Sequence, residues 1–212
     1  MADGADDALL AMTIPPPALS ASWEEIRHWR KLVREEQLQR RTSLEPGMRH
    51  EIGARARQRL LASIDLQAYP ILGICWPIRG EIDVRRIAER HIAAGGLVAL
   101  PVVVQKAAPV EFWRWYPGIR MTTGLWNIPI PQPREILAPD ALIVPLVGYD
   151  ANGYRLGYGG GYFDRTLAAT ARRPLAIGLG YASSALPTIY PQPHDIPMNL
   201  IVTDQDVLRV NQ

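Results

Sequence analysis

From Ser22 onward the apolar positions alternate between two rhythms: a recurrence near every fourth residue and short unbroken runs. That succession of helical and strand signals predicts an α/β chain. Ser22-Trp-Glu-Glu25 reads as a capping box, in which a serine oxygen and the glutamate three residues on satisfy the free amides of a starting helix. A helix is expected from 22 to 41. A second is expected from Glu45 to Ala62, because Pro46 suits a first turn and Met48, Ile52, Ala56 and Leu60 recur every four residues, so that the two would form a helical hairpin. Beyond Tyr69-Pro70 the pattern reads strand (Ile71 to Trp76), helix (Val84 to Ala94) and strand (Leu97 to Val104), the rhythm of a βαβ unit. Val110 to Tyr116 and Leu125 to Ile128 read as short strands, and the proline-rich stretch from Pro129 to Pro133 as a connection. Strands at Ala141 to Val147, Pro174 to Gly180 and Asn199 to Thr203, with a helix at Tyr162 to Ala171, complete the pattern before a short tail. Residues 1 to 21, with Pro15-Pro-Pro17 and no sustained period, read as a flexible arm preceding one domain over residues 22–212.

Composition narrows the class. With 212 residues, 48% hydrophobic and 21% charged, the chain is neither disordered nor fibrous. A net charge of +2 gives no general argument for a nucleic-acid partner. The single cysteine, Cys75, lies in the apolar run Ile71-Leu-Gly-Ile-Cys-Trp76, where a buried structural thiol is expected. No apolar run approaches the ~18 residues needed to span a bilayer. Asp3, Asp6 and Asp7 stand where a secretory signal would carry positive charge, so a reducing cytoplasm is expected.

The candidate chemistry concentrates between Pro139 and Arg165, which reads strand, turn, glycine loop, helix. Gly157, Gly159, Gly160 and Gly161 permit close backbone approach to a ligand, and the following helix points free amides at the loop, an arrangement suited to phosphate. Arg155 can reach the same anion and Asp164 can hold a magnesium ion. The alternative is a tight turn whose glycines are steric and whose arginine pairs with a surface carboxylate. Neither a Walker sequence nor a spaced Gly-x-Gly-x-x-Gly is present. On the first helix, Arg27, Arg30, Lys31 and Arg34 share one face, either as a solvated stripe or as a strip that binds a polyanion.

Asn152-Gly-Tyr-Arg-Leu-Gly-Tyr-Gly-Gly-Gly-Tyr-Phe-Asp-Arg165 closely resembles the signature of the 5-formyltetrahydrofolate cyclo-ligase family, and the resemblance runs in register from about Ile26 to Asp204. It implies a single Rossmann-like α/β domain of the NagB/RpiA/CoA-transferase kind, with a central, largely parallel sheet flanked by helices and ligands at the C-terminal strand ends. It also implies cyclisation of 5-formyltetrahydrofolate to 5,10-methenyltetrahydrofolate, with ATP as co-substrate and Mg2+ as cofactor. In that reading Arg30, Lys31, Arg34, Arg155, Gly157, Gly159, Gly160, Gly161 and Tyr162 bind ATP, with Arg155 and Tyr162 catalytic. Within Trp76-Pro-Ile-Arg-Gly-Glu81, the Gly-Glu-Ile turn is similar to the family's folate-binding turn, which gives the pterin to Glu81. Trp76, Trp126 of Trp-Asn-Ile-Pro129 and Tyr162 would line the folate site. His194-Asp195-Ile-Pro197 resembles the family's His-Asp-x-Pro motif, which implies that Asp195 joins Asp164 on the metal. Three departures stand out: Arg30 with Lys31 alongside where lysine is usual, Tyr158 where many members carry arginine, and Gly160 where some carry lysine. The partners implied are small molecules, with no nucleic acid or membrane and a monomeric chain. Two alternatives remain: a phosphoryl-transfer enzyme of the same fold with a non-folate acceptor, and a non-catalytic nucleic-acid-binding derivative.

Overall fold

The computed structural model describes residues 14–18 and 20–210, so residues 1–13 and 19 of the expected arm lie outside the described residues. Helix α1 spans Trp23–Ser43, and both halves of its capping box form: the Glu25 amide donates to Ser22 Oγ, and the Ser22 amide donates to the Glu25 carboxylate. Helix α2 spans Pro46–Ser63, with proline in its first turn and Gly53, Ala56 and Leu60 buried. Then follow β1 (Ile71–Ile74), α3 (Arg85–Ala93), β2 (Leu97–Val102), β3 (Glu111–Trp115), β4 (Arg120–Thr123), β5 (Pro129–Gln132), β6 (Ala141–Pro145), β7 (Gly148–Tyr149) and β8 (Arg155–Leu156). Helix α4 (Tyr162–Ala169), β9 (Leu175–Leu179), β10 (Leu200–Val202) and β11 (Val207–Arg209) complete the chain.

Seven strands form one sheet in the order β11-β10-β9-β6-β1-β2-β3. The inner pairs are parallel, and only the edge strands β11 and β3 run antiparallel to their neighbours. A parallel sheet needs apolar cover on both faces, and two core clusters supply it. Leu72, Ile74, Val98, Leu100, Ile143 and Ile177 pack with Leu60 of α2 and Ile87 of α3. Ala99, Leu142, Val144, Ala176 and Ile201 pack with Leu167 of α4. A third, smaller cluster joins Trp29 and Val33 of α1 to Leu156, Leu186 and Ile189. It fixes α1 against the segment that carries the glycine loop.

The expected strand at Leu125 to Ile128 is not formed. Trp126 and Asn127 both have positive φ (56° and 59°), which closes a tight 3-10 turn between β4 and β5. The stretch read as a proline-rich connection is itself strand β5, paired only with β4, with Met121 opposite Pro131 and Thr123 opposite Pro129. Proline lacks the amide a central strand must donate, but a two-stranded ribbon has open edges where that loss is harmless. Strands β4, β7, β8 and β11 are also additions to the expected pattern.

Candidate active site

Strand β1 leads outward to β2 on one side, whereas β6 lies on its other side, so the connections diverge between β1 and β6. Open α/β sheets hold ligands in the crevice beyond the C-terminal strand ends at such a point. The turn after β1, residues 75–84, and the loop after β6 meet there. The Tyr158 hydroxyl of the glycine loop donates to Glu81 Oε1 at 2.7 Å, and the Ile78 amide donates to Glu81 Oε2 at 2.9 Å. Burial pushes the Glu81 carboxyl above its usual value, and the hydrogen bonds from Tyr158 and Ile78 and the charges of Arg41 and Arg79 only partly offset this. Burial and the Glu81 charge likewise push the Tyr158 hydroxyl well up.

Within the loop, Gly159 and Gly161 occupy the left-handed region at φ 90° and 62°, and Gly161 directly precedes α4. Among the described residues, the amides of Gly159, Gly160 and Gly161 donate to no protein acceptor. They are therefore available to an anion, alongside the positive end of α4. A Cβ on Gly160 would lie 2.7 Å from the Tyr162 ring, so glycine there also lets Tyr162 fold back over the loop. Tyr162 meets Trp126 edge to face at 5.6 Å, and Trp126 is 64% exposed, unlike a core tryptophan. Trp76 is partly buried, with Trp115 edge-on at 6.3 Å and the Arg85 guanidinium over its ring at 5.0 Å.

Helix α1 supplies the cations. Arg30 is buried and donates to the carbonyls of Ile189 and Tyr190 and, through both terminal nitrogens, to the Asp195 carboxylate, with a shortest contact of 2.6 Å. Arg34 Nε donates to the Gly157 carbonyl, and a Cβ on Gly159 would sit 3.3 Å from the Arg34 guanidinium. Lys31 points elsewhere: its ammonium is 4.0 Å from Glu35, and both side chains are largely exposed. The structure thus divides the basic stripe, and the buried polar face continues along α1 through Gln37 to Arg41. Sequence reading passed over Arg41, although its spacing from Arg30 and Arg34 keeps it on one helical face. Its Nε donates to the Arg79 carbonyl, its Nη1 to the Leu146 carbonyl at 3.0 Å, and its Nη2 to the Tyr158 hydroxyl at 2.8 Å.

Arg155, also buried, forms a 2.9 Å ion pair with Asp164 Oδ1 and donates to the Ile196 carbonyl, while the Ile196 amide returns a bond to Asp164. Arg155 does pair with a carboxylate, as the alternative reading of the loop supposed, but that carboxylate is Asp164 of the site itself, only 18% exposed. Four guanidiniums (Arg30, Arg34, Arg41, Arg155) thus face three carboxylates (Glu81, Asp164, Asp195), a balance that favours an added anion. Among the described residues no group of three or more His, Cys, Asp or Glu side chains is placed to hold a metal. Two aspartates suit magnesium in its usual nucleotide-bound form, in which phosphate oxygens and waters complete the shell. Asp164, whose contacts with Arg155 and the Ile196 amide both fall on Oδ1, fits this better than Asp195, both of whose oxygens are engaged by Arg30, with the Gln192 amide also on Oδ2 at 2.7 Å.

Cys75 is free, and burial and the nearby Glu81 charge push its thiol well up, which disfavours the thiolate. The cavity bounded by Cys75, Glu81, Ile143 and Leu179 measures only about 10 Å³. A larger one of about 360 Å³ opens at the opposite edge of the sheet, beside Pro70, Asp140, Arg173 and Asn199 at the starts of the parallel strands, away from the glycine loop. No helix among the described residues is long and apolar enough to cross a membrane.

The model of the 5-formyltetrahydrofolate cyclo-ligase family matches residues 26–204. A 5-formyltetrahydrofolate cyclo-ligase of Escherichia coli K12 is 29% identical over 176 residues, covering 80% of this chain and 97% of that protein. One of Mycolicibacterium smegmatis is 30% identical over 135 residues, covering 60% and 70% respectively. The solved structure of the 5,10-methenyltetrahydrofolate synthetase of Aquifex aeolicus superposes with a TM-score of 0.74 at 24% identity, over 86% of this chain and 93% of that one. The synthetase of Mycoplasma pneumoniae gives 0.68 at 23%, over 82% and 98%.

Proposed function

The chain belongs to the 5-formyltetrahydrofolate cyclo-ligase family, and on that premise we propose that it converts 5-formyltetrahydrofolate and ATP into 5,10-methenyltetrahydrofolate, ADP and phosphate. The observation that carries this reading is the 2.7 Å contact between Tyr158 and Glu81. It supports the reading because the glycine loop, suited to an anion, and a half-buried carboxylate, suited to a pterin's amino-pyrimidine edge, meet at one sheet edge.

In this scheme the N5-formyl oxygen attacks the γ-phosphorus, the bond to ADP breaks, and an iminium phosphate forms. N10 then attacks the formyl carbon, phosphate departs, and the N10 proton is lost. No step needs an enzyme nucleophile, so the side chains act by alignment and charge. Glu81 holds the pterin, with Trp76, Trp126 and Tyr162 against the folate. The free amides of residues 159–161, with Arg34, Arg155 and Arg30, receive the triphosphate. Asp164 would hold magnesium, with Asp195 joining it only by loosening Arg30, and the ion would neutralise phosphate oxygens. Lys31, exposed beside Glu35, takes no part except through its charge at the rim. The enzyme works on small molecules as a cytoplasmic monomer.

The test is the near-ultraviolet absorbance of methenyl-folate when purified protein meets 5-formyltetrahydrofolate, magnesium and ATP. A rise that requires ATP is expected. Folded protein that binds ATP and gives no rise would transfer the reading to another phosphoryl acceptor.

A further inference from the structure

Glu81, the proposed pterin ligand, is already occupied, and by a side chain of the nucleotide loop. Tyr158 fills Oε1 and the Ile78 amide fills Oε2. The tyrosine hydroxyl has only one proton, and Arg41 offers it only donors, so that proton points to Glu81 while the oxygen accepts from Arg41. Arg41 cannot swing away cheaply, because its other nitrogens hold the Arg79 and Leu146 carbonyls. The cavity that Glu81 shares with Cys75, Ile143 and Leu179, about 10 Å³, is far too small for a fused ring. Tyr158 itself is the more movable member: it is 38% exposed, lies between Gly157 and Gly159 under the Arg79 guanidinium, and belongs to a loop tethered by side chains at the Gly157 carbonyl (Arg34) and the Gly160 carbonyl (Arg165).

From this arrangement we infer that Tyr158 is a latch that couples the two substrate sites, its hydroxyl standing in on Glu81 for the pterin until folate displaces it. The inference rests on Glu81 being the pterin's carboxylate. When an amino-pyrimidine edge takes Oε1, Tyr158 is released and the glycine loop is freed to close on the triphosphate. By linkage the reverse holds with equal strength: a nucleotide that draws the loop toward its phosphates pulls Tyr158 off Glu81 and uncovers the folate carboxylate. Release of Tyr158 also leaves Arg41 Nη2 without its acceptor, so a guanidinium becomes available beside the glycine loop.

The test is equilibrium binding of 5-formyltetrahydrofolate to the full chain, with and without magnesium and a non-hydrolysable ATP analogue, for the wild type, Tyr158→Phe and Glu81→Gln, each checked for native circular dichroism. The wild type should bind folate more tightly with the analogue present. Tyr158→Phe keeps the ring but loses the latch, so folate should bind about fivefold more tightly without nucleotide, the worth of one displaced hydrogen bond, and the gain from the analogue should shrink toward nothing. In turnover, the folate KM of Tyr158→Phe should fall more than kcat changes. If Tyr158→Phe binds folate no better and keeps the wild-type coupling while Glu81→Gln loses folate, the latch is wrong and the pterin assignment stands. If Glu81→Gln binds folate like the wild type, the assignment fails and takes the latch with it. A wild type with no coupling between the ligands also overturns the proposal.

Discussion

Asp195→Asn separates two roles for one carboxylate. In the structure Asp195 and Arg30 form a 2.6 Å pair with side chains only 11% and 9% exposed. Removing one member of such a pair strands a buried charge, at a cost of about 3–5 kcal/mol. The asparagine oxygen can still accept from the Gln192 amide and weakly from Arg30, which sets the expectation at the lower end, about 3 kcal/mol. For a chain of this size that corresponds to a fall in Tm of roughly 6–12 °C, readable by thermal unfolding. The pH dependence gives a second reading. Burial raises the Asp195 carboxyl, but Arg30, the Gln192 amide and His194 together outweigh it and hold the folded value below the ordinary 3.8. A carboxylate lowered on folding stabilises fully above its unfolded value, and that contribution fades as pH falls through the folded one. The gap between wild type and variant should therefore be constant near neutrality and close below about pH 4. An unchanged Tm, a gap flat with pH, and activity restored by excess magnesium would refute the reasoning and assign Asp195 to the metal alone.

Three further outcomes follow from the same geometry. Arg155→Ala strands Asp164 and the Ile196 carbonyl; kcat should fall by roughly a hundredfold or more, as for other lost oxyanion donors, and Arg155→Lys should recover little because it cannot fork. Gly159→Ala forces a Cβ into φ 90° and within 3.3 Å of Arg34, so ATP KM should rise while folate binding in the absence of nucleotide, measured by fluorescence, stays close to wild type. Trp126→Ala should leave Tm within about 1–2 °C, because the ring is 64% exposed, yet raise folate KM about tenfold through loss of an aromatic wall.

What the sequence disclosed, and what it hid, follows from the range of the forces involved. Local signals served well: the Ser22/Glu25 box and Pro46 mark real helix starts, and the apolar runs at Ile71, Leu97, Ala141 and Leu175 are sheet strands. Leu125 to Ile128 failed because a strand-like composition was overruled by two residues of positive φ, a backbone choice made by the hairpin as a whole. The glycine loop could be read from its residues and Glu81 only from the resemblance, and the hydroxyl contact that joins them could be read from neither, since it depends on Tyr158 crossing the crevice. Arg41 was missed for a related reason: a buried arginine looks in sequence like any surface cation, and only the i, i+4, i+11 spacing from Arg30 and Arg34 hinted that it shares their face. Lys31 shows the converse, a cation adjacent in sequence that the helix turns toward solvent.

The partners of Arg30 lie 159 to 165 residues further along the chain. During synthesis, α1 emerges with a guanidinium whose hydrogen-bond acceptors, between Ile189 and Asp195, leave the ribosome much later. The parallel strands β1, β2 and β6 can already pair by then, but Arg30 cannot yet take its place in the cationic wall. Nascent chains stopped short of Ile189 therefore hold most of the sheet and the glycine loop with Arg34 and the Arg155–Asp164 pair, but not the carbonyls and carboxylate that fix Arg30, so the C-terminal segment is what completes the cationic wall.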